Sequence, residues 1–174
     1  MATVIRGDDN FDTSIGANVV QTHITTTSSQ AIAAVSSIAI TGLTATITPK
    51  FTASRIMVDV RWSGEATTPE HNLSMSILRD GSYVGNPSAA GNRITSLTMV
   101  PVSYHGDDQA STPTSVSFSY LDSPSTTATI TYAVSLMNSS GAAYTVYNNR
   151  SINDTDNAGY ERLTSSITLT EVQG

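Results

Sequence analysis

Between Val19 and Val172 the chain alternates apolar residues with Ser or Thr in short runs, and segments rich in Gly, Asn, Asp and Pro separate the runs. A period of two sends successive side chains to opposite faces of a strand, so each run predicts a β-strand with one buried and one polar face. Leu43, Ala45 and Ile47 alternate with Thr44, Thr46 and Thr48 until Pro49, which has no N–H for a ladder. Residues 55–62 place Ile56, Val58, Val60 and Trp62 on one face and Met57, Asp59 and Arg61 on the other, a set that a helix would scatter round its circumference. Leu73, Met75 and Ile77 continue the pattern against Ser74 and Ser76. Arg79-Asp80-Gly81-Ser82 then reads as a tight hairpin turn in which Gly accepts positive φ, with Tyr83 and Val84 opening the return strand.

After a Gly/Asn/Pro-rich connection, residues 94–104 read as a strand with an edge position or bulge at Pro101. The segment 105–114 is the most polar of the long connections. Val116, Phe118 and Tyr120 share a face, Asp122-Ser123-Pro124 makes a corner, and Ala128, Ile130, Tyr132, Val134 and Leu136 form the longest clean alternation. These two strands are expected to be antiparallel neighbours. Ser139-Ser140-Gly141 turns into residues 143–147, and the last strand puts Leu163, Ser165, Ile167 and Leu169 on one face. About eight strands with a turn every ten or so residues predict an all-β fold, an antiparallel jelly-roll sandwich. Residues 1–18 carry only Val4, Ile5, Phe11 and Ile15 as apolar anchors among the larger side chains, too few for a core, and read as an N-terminal arm on a domain spanning 19–174.

Composition narrows the function classes. A net charge of −6 with only 8 Lys and Arg disfavours a nucleic-acid partner, because phosphate binding is driven by cationic side chains that release counterions. Charged residues make up 13% of the chain, so Ser, Thr and Asn must carry its solubility. There is no Cys, which removes disulfides and thiolate metal sites and leaves packing or oligomerisation to supply stability. The first residues lack the apolar run of a signal peptide and no stretch has a membrane span's length, so synthesis and folding in a cytoplasm are expected. No internal repeat or long heptad run is present.

Several segments together resemble a domain of bacteriophage tail-fibre and related virion proteins. Val19-Val20-Gln21 is followed by Thr41-Gly42-Leu43-Thr44-Ala45-Thr46-Ile47-Thr48-Pro49 and by Ser54-Arg55-Ile56-Met57-Val58, like the family's Gly-Leu-x-x-x-Ile-x-Pro stretch before a Ser-Lys/Arg-Ile strand. Leu78-Arg79-Asp80-Gly81 matches its central hairpin. Tyr120-Leu121-Asp122-Ser123-Pro124, Tyr147-Asn148-Asn149-Arg150, Asp154-Thr155-Asp156-Asn157, Tyr160 and Ser166-Ile167-Thr168-Leu169-Thr170-Glu171 resemble its closing signature. The resemblance implies a tumour-necrosis-factor-like jelly roll, a homotrimer, and a place on a virion made in a bacterial cytoplasm. It implies a short tail fibre or spike for host attachment, with capsid decoration or a baseplate or collar component as the alternative, since the short arm is no fibre shaft.

Within that frame Arg6, Asp8, Asp9 and Phe11 are the candidate contacts to another virion protein. Tyr83, Asn86, Tyr104, His105, Asp107 and Asp108 are the candidate receptor contacts, because connections vary without loss of the fold and these offer aromatic and hydrogen-bonding groups suited to a host glycan or protein. Arg6-Gly7-Asp8 is an integrin tripeptide, but a three-residue match carries little weight beside an arm contact. Asp154, Asp156 and Asn157 have alternating oxygens that suit Ca²⁺, yet without a downstream bidentate Glu an Asx-stabilised turn is the better reading. His23, His71 and His105 share no signature with each other or with Glu70, Asp107 and Asp108, so neither catalysis, a metal nor a cofactor is expected. Sequons at Asn72, Asn138, Asn149 and Asn153 are without meaning in a protein made in bacteria. Trp62, Phe118, Tyr120 and Tyr132 are assigned to packing.

Overall fold

The computed structural model describes residues 18–67, 72–101 and 111–173. Eleven strands succeed one another: β1 (Val19–Ile24), β2 (Ser28–Ile32), β3 (Ser36–Ile47), β4 (Arg55–Ala66), β5 (Leu73–Arg79), β6 (Ser82–Val84), β7 (Thr98–Met99), β8 (Thr114–Asp122), β9 (Ile130–Asn138), β10 (Tyr144–Asn148) and β11 (Ser165–Val172). All pairings are antiparallel, and the strands form two sheets.

In the first sheet β4 is central. β8 pairs along one edge from Ile56 to Gly64, whereas the other edge is shared, β11 taking Arg55 to Arg61 and β10 taking Gly64 to Ala66. β1 lies outside β11 and β2 outside β10. The second sheet runs β3-β9-β5, with β6 and β7 sharing the free edge of β5. The order β1-β11-β4-β8 against β3-β9-β5-β6/β7 is the wrapped double Greek key of a jelly roll. The fold expected from the sequence is therefore present, with β2 and β10 as added short strands.

The alternation read from the sequence explains the core. Ile56, Val58, Val60 and Trp62 on β4 and Ile167 and Leu169 on β11 face Leu43, Ala45 and Ile47 on β3, Met75 and Ile77 on β5, and Tyr132, Val134 and Leu136 on β9, all 5% exposed or less. Each fully buried large side chain contributes roughly 1.5–3 kcal/mol relative to exposure. The outer faces remain Ser- and Thr-rich, so the apolar strand faces meet inside the sandwich.

Three sequence readings change. β8 and β9 are not neighbours: β8 pairs with β4 in one sheet and β9 with β3 and β5 in the other, so the corner after Asp122 crosses between sheets. Residues 94–104 do not form one strand. Among the described residues 94–101 only Thr98–Met99 is strand: Leu97 and Val100 donate to Met75 and Leu73 across the short free top of β5, and Pro101 has no N–H to give. Leu163 precedes β11 and donates its N–H to Asn149. The hairpin at Arg79-Asp80-Gly81-Ser82 stands as expected, with Asp80 at φ 48° and Gly81 at φ 83°, the two left-handed residues of a type I′ turn.

Candidate functional site

Of the candidate receptor contacts, Tyr83 and Asn86 fall within the described residues. Tyr83 lies on β6, the return strand expected after the hairpin, and not in the connection that follows. Its ring is 42% exposed and reaches across the outer face of the second sheet, where its hydroxyl donates to Ser37 Oγ at 2.8 Å and lies 3.3 Å from Ser135 Oγ. Asn86 is spent on the fold: Oδ1 accepts from Ser76 Oγ at 2.9 Å and Nδ2 donates to the Thr95 carbonyl at 2.8 Å. It staples the segment after β6 over the buried Ser76. Tyr83 thus offers a ring face and Asn86 offers little. Tyr104, His105, Asp107 and Asp108, and the arm residues Arg6, Asp8, Asp9 and Phe11, lie outside the described residues.

Polar networks hold the connections at the top of the sandwich, the end at which β4 finishes. Glu65, 1% exposed, accepts from Thr112 N–H at 3.0 Å and Thr112 Oγ1 at 2.7 Å with one oxygen, and from Ile152 N–H at 2.8 Å with the other. One buried carboxylate therefore joins the strand before it to two separate loops. Beside it Glu161 accepts from Ser151 Oγ at 2.7 Å and Ser111 Oγ at 3.0 Å. The Ser151 bond holds the Glu161 carboxyl below the usual range against a smaller opposing effect of desolvation, with Ser111 assisting.

The segment Tyr147-Asn148-Asn149-Arg150 is the second network. Asn148 accepts the Trp62 indole N–H at 2.8 Å and donates to Ser28 Oγ and Gln30 Oε1. Asn149, at φ 61°, donates to the Ile24 and Thr26 carbonyls and accepts from Ser165 Oγ at 2.6 Å. Arg150 stacks 4.4 Å above the Tyr147 ring. Asn149 thereby satisfies two backbone carbonyls at the β1–β2 turn, while Asn148 ties the buried Trp62 indole to side chains of β2. Gly64 is required here, since a Cβ would strike the Tyr147 carbonyl and the Trp62 ring.

Asp154, weighed as a calcium ligand, is an ion-pair partner of Arg162 and stands 3.9 Å from Arg150. Asn157 Oδ1 accepts from the Gly159 N–H and Asn153 Oδ1 from the Thr155 N–H, the Asx turns favoured on sequence grounds. Among the described residues no three His, Asp or Glu side chains gather in a metal-ligating cluster.

At the opposite end, Asp122 joins the two sheets. Arg79 Nη1 donates to its oxygens at 3.0 and 2.8 Å, and the buried Tyr132 hydroxyl donates at 2.6 Å. Burial pushes the Tyr132 phenol far above its ordinary value, and its bond to the Asp122 carboxylate adds to that rise. Nearby, burial would raise Glu171, but the Ser54 side chain, Asn18 Nδ2 and the Lys50 and Phe51 N–H groups together outweigh it and hold the carboxyl low.

Two surface depressions of about 400 Å³ remain. One lies on the outer face of the first sheet among Asp59, Arg61, Ser117, Ser119, Ser166 and Thr168. The other lies at the top of the second sheet, where Val35 and Met99 rim a hollow containing Ser74, Arg93, Ile94 and Ser139. Sequence reasoning missed both, because each is assembled from strands distant in the chain; it also missed Glu65, whose only signal was a polar residue inside an apolar alternation. Comparison with family models finds no match for this chain, and comparison with curated proteins finds none either.

Proposed function

We propose that this protein is a structural component of a bacteriophage virion, a homotrimeric short tail fibre or spike that attaches to a host surface and acts by binding rather than catalysis. One observation carries the reading: the residues on which the sequence resemblance rests hold the positions on which this jelly roll depends. Gly42 takes φ 80° within the bulge where β3 shifts register against β9. Arg79-Asp80-Gly81 makes the β5–β6 hairpin, Asp122 clamps the sheets, Asn148 pairs the buried Trp62 indole, and Asn149 satisfies carbonyls of the β1–β2 turn. A shared pattern confined to exposed residues would carry far less weight.

In this reading the arm contacts another virion protein and the loops of the top end meet the host, weak single contacts being multiplied by trimeric avidity. Capsid decoration is the second reading, favoured by Asn86, whose amide is committed to Ser76 and Thr95 and is lost to a receptor. Gold-labelled antibody on intact particles is expected to mark the tail tip or spikes, and light scattering to give three times the 18.3 kDa chain mass. Label spread over the capsid would replace attachment by decoration. Absence from particles, or a monomer at micromolar concentration, would overturn the proposal.

A further inference from the structure

Among the described residues two aromatic side chains are exposed, Phe51 in the β3–β4 connection and Tyr83 on β6. Only Tyr83 has a polar tip, and that tip is anchored: the hydroxyl donates to Ser37 Oγ at 2.8 Å and lies 3.3 Å from Ser135 Oγ. Val134 and Leu136 point into the core, so Ser135 between them points to the outer face of the second sheet. Yet Ser135 is 1% exposed. The Tyr83 ring therefore lies along the sheet toward its top end and helps to cover Ser135, and its own exposure belongs to the side turned to solvent. Strand backbone fixes the base of the ring and two serines fix its tip, so a ligand that stacks on it meets a platform already ordered.

The surface round the ring is rich in hydroxyls and poor in charge. Register places Tyr83 opposite Leu78, Leu78 opposite Ala133 and Ala133 opposite Thr44, one row across the outer face. The Thr44 hydroxyl donates to the Tyr132 carbonyl and keeps its acceptor capacity. In the next row the hydroxyls of Thr46 and Thr131 stand 3.3 Å apart. Ser37, Thr44, Thr46 and Thr131 are all exposed. The carboxylate that borders these rows is Asp80, whose Oδ1 accepts the Thr131 N–H, whereas Arg79 is turned inward to Asp122. An anionic ligand would find no cation in these rows and Asp80 at their end. Thr131 and Ser135 are four residues apart on β9, about 13 Å, so a small cation does not reach both the ring tip and Asp80.

We infer that Tyr83 is the platform for a neutral saccharide, one pyranose stacking its C–H face on the open side of the ring while its hydroxyls bond to Ser37 and Thr44. A pyranose presents an apolar face and a rim of groups that both donate and accept hydrogen bonds. The flat ring matches the first, and the Ser and Thr hydroxyls, which also do both, match the second. This ligand class belongs to the attachment reading and rests on it: one ring face binds weakly, and copies of the site in a homotrimer supply the avidity.

Saturation-transfer NMR on the full-length protein tests this with the methyl glycosides of glucose, galactose and mannose, each titrated to about 50 mM because a single ring face binds weakly. At least one is expected to bind, with saturation concentrated on the protons of one face of the sugar. Tyr83→Ala is expected to weaken that binding at least tenfold, and Tyr83→Phe less than fivefold, because the ring stays and only its anchor to Ser37 and Ser135 is lost. Methyl glucuronide is expected to bind at least fivefold more weakly than methyl glucoside. No binding of any of the three, unaltered binding by Tyr83→Ala, or equal losses in Tyr83→Phe and Tyr83→Ala would each overturn the inference. Tighter binding of the glucuronide would overturn the neutral class. A changed oligomeric mass in Tyr83→Ala would give the ring to a contact between subunits instead. Antibody label at the tail tip without hexoside binding would remove this site and leave the attachment reading, whereas label over the capsid with hexoside binding intact would do the reverse.

Discussion

The sharpest prediction concerns Asp122, where three side chains from β5, β8 and β9 tie the two sheets together at the lower end. Asp122→Ala removes the acceptor of a Tyr132 hydroxyl that is wholly buried, and an unsatisfied buried hydroxyl costs about 1–3 kcal/mol. Arg79 also loses its partner, but its side chain is 34% exposed and can rehydrate, which limits that part to about 1 kcal/mol. The expected loss is therefore about 2–4 kcal/mol, or a fall in Tm of roughly 5–15 °C for a chain of this size, read by urea and thermal unfolding at fixed protein concentration.

The sign of the coupling tests the mechanism more strictly than the size. Tyr132→Phe alone gives up a hydrogen bond to a carboxylate and is expected to destabilise by about 1.5–3 kcal/mol. In an Asp122→Ala background the same change removes an unpaired hydroxyl and is expected to be neutral or stabilising. Tyr132→Phe equally harmful in both backgrounds would refute the reasoning. The clamp also gives an alkaline limit. Unfolded Tyr132 ionises near the ordinary tyrosine value of 10.0 while the folded phenol stays neutral, so its contribution is complete below about pH 10 and falls as pH rises beyond it. Tyr132→Phe is expected to flatten that fall.

Glu65→Gln keeps the shape but turns an amide NH2 donor toward N–H groups that require an acceptor, and is expected to cost about 1–3 kcal/mol and to speed amide exchange at Thr112 and Ile152, measured by mass spectrometry. Gly64→Ala drives a methyl group into the Tyr147 carbonyl and the Trp62 ring, and is expected to destabilise by more than 3 kcal/mol and to change Trp62 fluorescence. On the acid side, Glu171 and Glu161 have lowered folded values, so their contribution is present above about pH 4.5 and is lost as pH falls through the folded values. Glu171→Gln is expected to reduce acid sensitivity in an unfolding titration between pH 2 and 5, and an unchanged slope would remove that residue from the account.

Strands with one buried face were legible because burial imposes a period of two, and β4, β5, β9 and the hairpin at Asp80-Gly81 follow the sequence closely. The partners of those strands were not legible. Alternation states that a strand has two faces but not which sheet it joins, so β8 and β9, adjacent in the chain, were paired when the corner after Asp122 separates them. Residues 94–104 alternate well enough to read as a strand, but only the top of β5 is free to receive them. Asn148 and Asn149 stood out only as part of a motif, because alternation says nothing of a buried amide; Asn149 supplies the β1–β2 turn with bonds that no ladder gives, and Asn148 pairs the buried Trp62 indole.

The same distinction separates the connections that could carry recognition from those that cannot. Ser151, Asn149 and Ser165 are buried and hydrogen-bonded to one another or to backbone, so the loop between β10 and β11 is fixed by the same bonds that complete the core. Altering it for a new ligand would leave buried donors unpaired. The segment from Pro87 to Asn92 is exposed throughout and is anchored at its base, where Asn86 bonds to Ser76 and to the Thr95 carbonyl. Its tip can change in sequence and length at the modest cost of loop closure. In a chain with so few charges, specificity on this side of the domain therefore has its freest ground in that tip, next to the hollow formed by Val35, Met99 and Arg93.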